Sequence, residues 1–269
     1  MAQNLSHLDP WARFRPATQA RIGLGRSGDS LPTQALLDFQ WAHARARDAV
    51  HGAVDFTALA AALAPLPTIK VHSAAPDRSV YLRRPDLGRV LCEDSREKLV
   101  PGDYDVVFVI ADGLSAAAVN THAAATLKAC LDRLPGWKVA PVVLAEEARV
   151  ALGDEVGMRL SAKIVALLVG ERPGLTVADS LGIYLTWGPR VGRKDSERNC
   201  LSNIHAHGQS YTQAADKLSW LLHEARRQRL TGVALKEGAS PLGNTAGEKG
   251  LSSNEGRRET ASAEQEELS

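Results

Sequence analysis

The stretch "DVVFVIADGLSAAAV", Asp105 to Val119, decides the fold. Its first half is apolar at successive positions rather than alternate ones. A strand with one wet face alternates; an unbroken apolar run marks a strand covered on both faces, as in a parallel sheet between helices. The run ends at Asp112-Gly113, and "ADGLS" reads as a strand–turn–helix junction. A helix is predicted from about Ser115 to Leu134.

The same texture recurs downstream. "KVAPVVLAEEA" predicts a second strand, "DEVGMRLSA" a short helix, "KIVALLVGE" a third strand and "GIYLTW" a fourth. "SYTQAADKLSWLLHEARRQRL" predicts a long amphipathic helix with Leu218, Leu221 and Leu222 on one side. "GVAL" at 232–235 is expected to be a last short strand. Strands alternating with helices imply an α/β fold: a mostly parallel sheet, flanking helices and right-handed crossovers. Residues 101–236 form this part.

Residues 1–100 read as a smaller N-terminal region of helices and ordered loops. Helix-start signals at Ser30 and Thr33 precede Leu36, Leu37, Gln40, Trp41 and Ala44 at helical spacing. "DFTALAAALAPLP" is a short helix ended by Pro65 and Pro67, because proline lacks the donor and clashes with the preceding turn. After Lys236 the composition collapses. Residues 237–269 have no aromatic residue, cannot bury enough apolar surface to offset the ordering entropy, and are expected to be a disordered acidic tail.

Bulk composition excludes some classes. The 269 residues carry a net charge of +1, so no global basic excess points to nucleic acid or a membrane surface. Three cysteines, Cys92, Cys130 and Cys200, without a CxxC pair, argue for reduced cytosolic thiols rather than a disulfide framework. The N-terminal stretch lacks the apolar core of a signal peptide, and no apolar segment approaches the roughly 20 residues that span a bilayer. A cytoplasmic protein is expected.

Ligands of open parallel sheets bind beyond the carboxyl ends of the strands. Three predicted strand ends carry acids: Asp112, Glu146-Glu147 and Glu171. Asp112 either rims a ligand site or caps the following helix. Glu146 and Glu147 read as a solvated loop pair. Glu171 sits in "GERPG", where Pro173 stiffens the backbone and Gly170 and Gly174 permit close approach. Such a loop either presents a carboxylate to a ligand or holds it in a salt bridge with an arginine.

Other motifs carry weaker signals. "GLGRSG" at 23–28 matches GxGxxG but follows no apolar strand, so it reads as a turn. His205 and His207 lack a third ligand by spacing, and no metal site is expected. The arginines of "YLRRPDLGR", together with Arg78, suit phosphate, a partner's carboxylates or acids within the chain. Cys200 falls in a polar loop, "RNCLSNIH", after Arg190, Arg193 and Arg198, where nearby cations would depress a thiol's pKa.

Several segments, read together, resemble the small (light) subunit of ethanolamine ammonia-lyase. They include "DPWARFRPATQARIGLGRSGDSLPT", "VHSAAPDRSVYLRRPDLGR", "PVVLAEEARVALGDEVG", "LLVGERPGL", "YLTWGPRVGRKDSERNCLSNIH" and "LTGVALK", in order over about residues 9 to 236. The resemblance implies a Rossmann-like domain after a smaller helical N-terminal region. It implies a large-subunit partner in an α6β6 assembly, and adenosylcobalamin held between the subunits. The implied reaction is radical elimination of ethanolamine to acetaldehyde and ammonia, with the substrate on the large subunit.

The resemblance assigns this chain no catalytic residue. It assigns three cobalamin contacts: Val150 in "ARV", Glu171 in "GERPG" and Cys200 in "CLSNI". The family's stretches are "GRV" and "CISNI", so Ala148 and Leu201 are mild departures. Enclosure in a bacterial microcompartment is open. Two other readings compete: a purely structural subunit of a lyase, and an independent nucleotide-binding oxidoreductase. The last would need a glycine fingerprint after the first strand, and "ADGLSAAAV" has one glycine.

Overall fold

The computed structural model describes residues 9–18 and 20–235, so the expected tail at 237–269 lies outside the described residues. In chain order the elements are α1 (Thr33–His51), α2 (Phe56–Leu63), β1 (Thr68–His72), α3 (Arg78–Arg83), α4 (Glu93–Glu97) and β2 (Tyr104–Ala111). Then come α5 (Ala116–Ala118), a π turn (Val119–Ala123) and α6 (Ala124–Leu131), which run on as one helix. They are followed by β3 (Val142–Glu146), α7 (Leu152–Arg159), β4 (Ala162–Gly170), β5 (Leu181–Trp187), β6 (Asn199–Ile204) and α8 (Tyr211–Gln228).

The six strands form one sheet in the order β1-β3-β2-β4-β5-β6. The α/β class and the mostly parallel sheet are as the apolar runs imply. β2 lies between β3 and β4, parallel to both, with Val109 opposite Val143 on one side and Leu167 on the other. Its residues split by alternation. Val106, Phe108 and Ile110 pack with α6 and α8 through Leu127, Leu218 and Leu222; Val107, Val109 and Ala111 pack with α7 through Leu152 and Val156. Burial on both faces is why the run has no polar interruption.

Three expectations need correction. The N-terminal region is not only helices and loops: Thr68–His72 is edge strand β1, parallel to β3. "TIKVH" is short and mixed, too weak a pattern to stand out. β5 is antiparallel to β4 and β6 to β5. The segment 171–180 has no helix, and a parallel return needs a longer crossover, so β5 turns straight back. Cys200 thus sits on strand β6, not in a loop. "GVAL" at 232–235 is a turn, with Gly232 at φ +88°.

Helix α1 begins as expected at Thr33, but its buried residues are Ala42 and Ala49, and Trp41 is 68% exposed. "GLGRSG" at 23–28 is irregular up to Ser27, where a Ser27–Ser30 bridge closes a turn over Gly28 and Asp29.

One buried ion pair fixes the second half of the sheet to α7. The Arg198 guanidinium grips the Asp154 carboxylate with two hydrogen bonds, at 2.6 and 2.7 Å, and also donates to the Thr186 hydroxyl at 2.9 Å. Both side chains are 2% exposed. Burial raises the Asp154 pKa, opposed by Arg198. Removing one partner leaves a buried charge alone, so Arg198→Ala is expected to destabilise the fold by about 3–5 kcal/mol, read by denaturant unfolding.

Candidate functional site

The parallel half of the sheet changes winding direction between β2 and β4. From β2 the chain passes through α6 to β3 on one side; from β3 it returns through α7, on the other face, to β4. Ligands of such sheets bind where the winding reverses, beyond the strand ends. Here those ends touch backbone to backbone. Leu114 N–H donates to Gly170 C=O at 2.9 Å. A Cβ on Gly113 would meet Gly170 O at 2.3 Å, and one on Gly170 would meet Ser115 O at 2.1 Å. Both glycines are required by that approach.

Beside this contact lies a cavity of ≈ 370 Å³. Tyr81, Leu114, Arg149, Val150, Glu171 and Tyr184 are among its lining residues. The structure therefore brings Val150 and Glu171 together. Cys200 does not line the cavity; it is the cross-strand partner of Tyr184, which does.

Asp112 organises the rim. Its carboxylate accepts from the N–H groups of Gly113, Glu147 and Ala148, each at 2.9 Å, and meets Arg78 at 3.3 Å. It does not cap the following helix; Ser115 does, accepting from Ala118 N–H at 3.2 Å. Asp112 instead ties the turn after β3, which leads to Val150, to the end of β2. Burial pushes its pKa up to about 6, against the pull of those N–H donors and Arg78. Glu147 is paired with Arg78 at 3.2 Å and Glu146 with Lys70 at 2.7 Å, so the two are ion-paired rather than merely solvated.

Glu171 is held without an arginine. Its N–H donates to Ser180 C=O at 2.9 Å, and its Oε2 accepts from the Ser180 hydroxyl and, at 3.4 Å, from Asn203 N–H. Among the described residues it makes no ion pair. Gly182 leaves the room: a Cβ there would lie 2.9 Å from Glu171 Oε1. The rest of "GERPG" is closed by Gly174 N–H donating to Val177 C=O at 2.8 Å.

Cys200 is exposed, and its thiol is not activated. Lost hydration around the sulfur raises its pKa and the Glu171 charge adds to that, while the Tyr184 hydroxyl opposes it. Two of the three arginines before it are engaged elsewhere: Arg193 with Glu197 and Trp187 C=O, Arg198 with Asp154. A nucleophilic thiol needs the opposite shift. Burial, then Cys200 and Glu171, pushes Tyr184 up to about 12, so its hydroxyl keeps its proton. Among the described residues, His205 Nδ1 accepts only from His207 N–H, at 3.3 Å.

Sequence comparison adds the lineage. Residues 8–236 match the family model of the ethanolamine ammonia-lyase light chain. The chain is 51% identical over 241 residues to the ethanolamine ammonia-lyase small subunit of Pseudomonas fluorescens, covering 86% of this chain and 88% of that one. It is 52% identical over 242 residues to that of Xanthomonas campestris, covering 86% and 89%. The chain belongs to the ethanolamine ammonia-lyase light-chain family. It is thus a small subunit of a lyase.

In this light chain, four cavity and support residues escaped the sequence reading: Tyr81, Arg149, Ser180 and Tyr184. Tyr81 is fully buried, donates to Ala148 C=O at 3.2 Å, and has the guanidinium groups of Arg78 and Arg149 packed on its ring, at 4.8 and 4.6 Å from the ring centre. Gly182, inside an apolar strand, was the available signal, since such a glycine marks a close approach.

Asp112 sets a pH dependence. Its folded pKa, about 6, exceeds the ordinary value of 3.8. The folded state therefore holds this proton more tightly, and stability falls as pH rises from about 4 to about 6. Across that range wild type is expected to lose on the order of 2–3 kcal/mol relative to Asp112→Asn, measured by unfolding at each pH.

Proposed function

We propose that this light chain supplies one wall of a cobalamin site whose remainder belongs to a large subunit, in an enzyme that converts ethanolamine to acetaldehyde and ammonia. The assembly we propose is α6β6, with the substrate on the large subunit. The observation that carries the reading is the meeting of Val150 and Glu171 in one cavity, with Cys200 paired across the strands to Tyr184, another of its lining residues. These residues come from three separate elements, and the family resemblance assigns all three to the cofactor. We also propose that the reversal of winding at β2 and β4 makes the sheet Rossmann-like.

The residues suit the group. A corrin presents apolar faces and a rim of amide side chains. Glu171 offers those amides a carboxylate already fixed by Ser180 and Gly182, so little ordering is needed on binding. Val150 and the face of Tyr184 offer apolar contact. Cys200 serves as a contact, not a nucleophile. A cavity of ≈ 370 Å³ is smaller than a whole cobalamin, which supports a site completed by another chain. When bound, the adenosyl form supplies the radical chemistry; this chain's residues bind and orient it. A dinucleotide site is disfavoured, because Gly170 fills the space over Gly113 where a pyrophosphate would approach the helix.

The test uses the chain assembled with a large subunit and titrated with hydroxocobalamin by absorbance. Glu171→Gln is expected to weaken binding about tenfold, the cost of losing one charged acceptor. An unchanged dissociation constant would return Glu171 to a purely structural role.

A further inference from the structure

The segment 171–180 carries Glu171 but has no helix or strand of its own. Its far end is tied down at three consecutive residues, Ala178, Asp179 and Ser180. Ala178 C=O accepts from the Ser115 hydroxyl at 2.7 Å. Ser180 C=O accepts from Glu171 N–H at 2.9 Å, and the Ser180 hydroxyl donates to the Glu171 carboxylate. Between them, the Asp179 carboxylate lies 3.4 Å from His122 Nε2.

His122 sits in the π turn of the long helix and is 3% exposed. Its Nδ1 pairs with the Tyr211 hydroxyl at 2.8 Å. Its Nε2 is buried and has no hydrogen bond among the described residues. Asp179 is half-exposed and lines a cavity of ≈ 410 Å³, together with Arg45, Asp48 and Asn120. Strands β2, β4 and β5 also pack on the π turn, and they give apolar residues to that face, Phe108, Leu168 and Ile183 among them. Asp179 is therefore the charged group that Nε2 faces, with Arg45 and Asp48 on the far side of the cavity wall.

Histidine ordinarily changes charge between about pH 5 and pH 8. Ordinary carboxylates are ionised throughout that range. A buried imidazolium needs an opposite charge beside it, and Asp179 supplies one. As pH falls the contact becomes an ion pair. As pH rises it reverts to a neutral ring beside a carboxylate, which holds less firmly.

We infer that His122 is a positioning residue for Glu171: through Asp179 it anchors the far end of the segment, and the adjoining Ser180 sets the Glu171 carboxylate. Its importance for the cofactor rests on the proposed function. His122 itself touches no reacting group.

The test uses the chain assembled with a large subunit, at about pH 6 and about pH 8. The first readout is amide hydrogen exchange without cofactor, corrected for the intrinsic effect of pH. In wild type, residues 171–180 are expected to gain about fivefold more protection on going to the lower pH than in His122→Gln or Asp179→Asn. Unchanged exchange in β2 and β4 shows that the variants are folded. The second readout is the affinity for cyanocobalamin, whose upper ligand does not titrate in this range. Its ratio between the two pH values is expected to be about fivefold larger in wild type than in either variant. Other groups that titrate here, Asp112 among them, remain in the variants, so the comparison isolates His122. Equal pH ratios of exchange in wild type and His122→Gln overturn the anchor. Ratios that differ by exchange but not by affinity overturn the role toward Glu171 and leave the proposed function standing. A wild-type complex that binds no cyanocobalamin at either pH removes the proposed function and, with it, this role of His122.

Discussion

The site depends on two strand ends that touch. Where β2 and β4 finish side by side, Gly113 and Gly170 bring their backbones into contact, and Leu114 N–H bonds to Gly170 C=O. Any side chain at either glycine would push the turns apart. From this contact the chain leaves in two directions: one turn enters the long helix capped by Ser115, the other begins the loop of Glu171. Asp112 completes the junction by gathering the N–H groups after β3. The positions of Val150 and Glu171 both follow from that geometry.

Around the junction the protein places charge in two different ways. Within the fold, charges are matched: Arg78 between Asp112 and Glu147, Arg198 on Asp154, Glu155 between Arg96 and Arg159. Toward the cavity, and toward the hollow beside it that Arg89, Arg193 and Lys194 line, several are not. Glu171 leans on a hydroxyl and an N–H rather than a cation, and among the described residues Arg89, Arg149 and Lys194 have no acid, although Arg193 keeps Glu197. Unmatched charge at a surface costs little while water covers it, and becomes available when a ligand displaces the water.

A rigid frame makes those charges useful. Glu171 is set by Ser180 and by the room Gly182 leaves; Arg149 by the Tyr81 ring; Cys200 by its register opposite Tyr184. The buried Arg198–Asp154 pair joins the residue just before the strand of Cys200 to the helix that follows Val150.

The sequence by itself determined the α/β class, the strands from 105 to 187 and the long helix from 211, because burial on two faces leaves an unbroken apolar run and burial on one leaves a helical stripe. It also singled out "GERPG", whose proline and glycines constrain the backbone locally. Tertiary structure alone decided the rest. Edge strand β1 is too short and mixed to announce itself. The reversal at β5 depends on a connection too short for a parallel return. The face that α1 buries, through Ala42 rather than Trp41, is set by what lies beneath it. The partners of Asp112 and Glu171 are distant in the chain, and no local pattern encodes which hydroxyl, N–H or arginine will meet a given carboxylate.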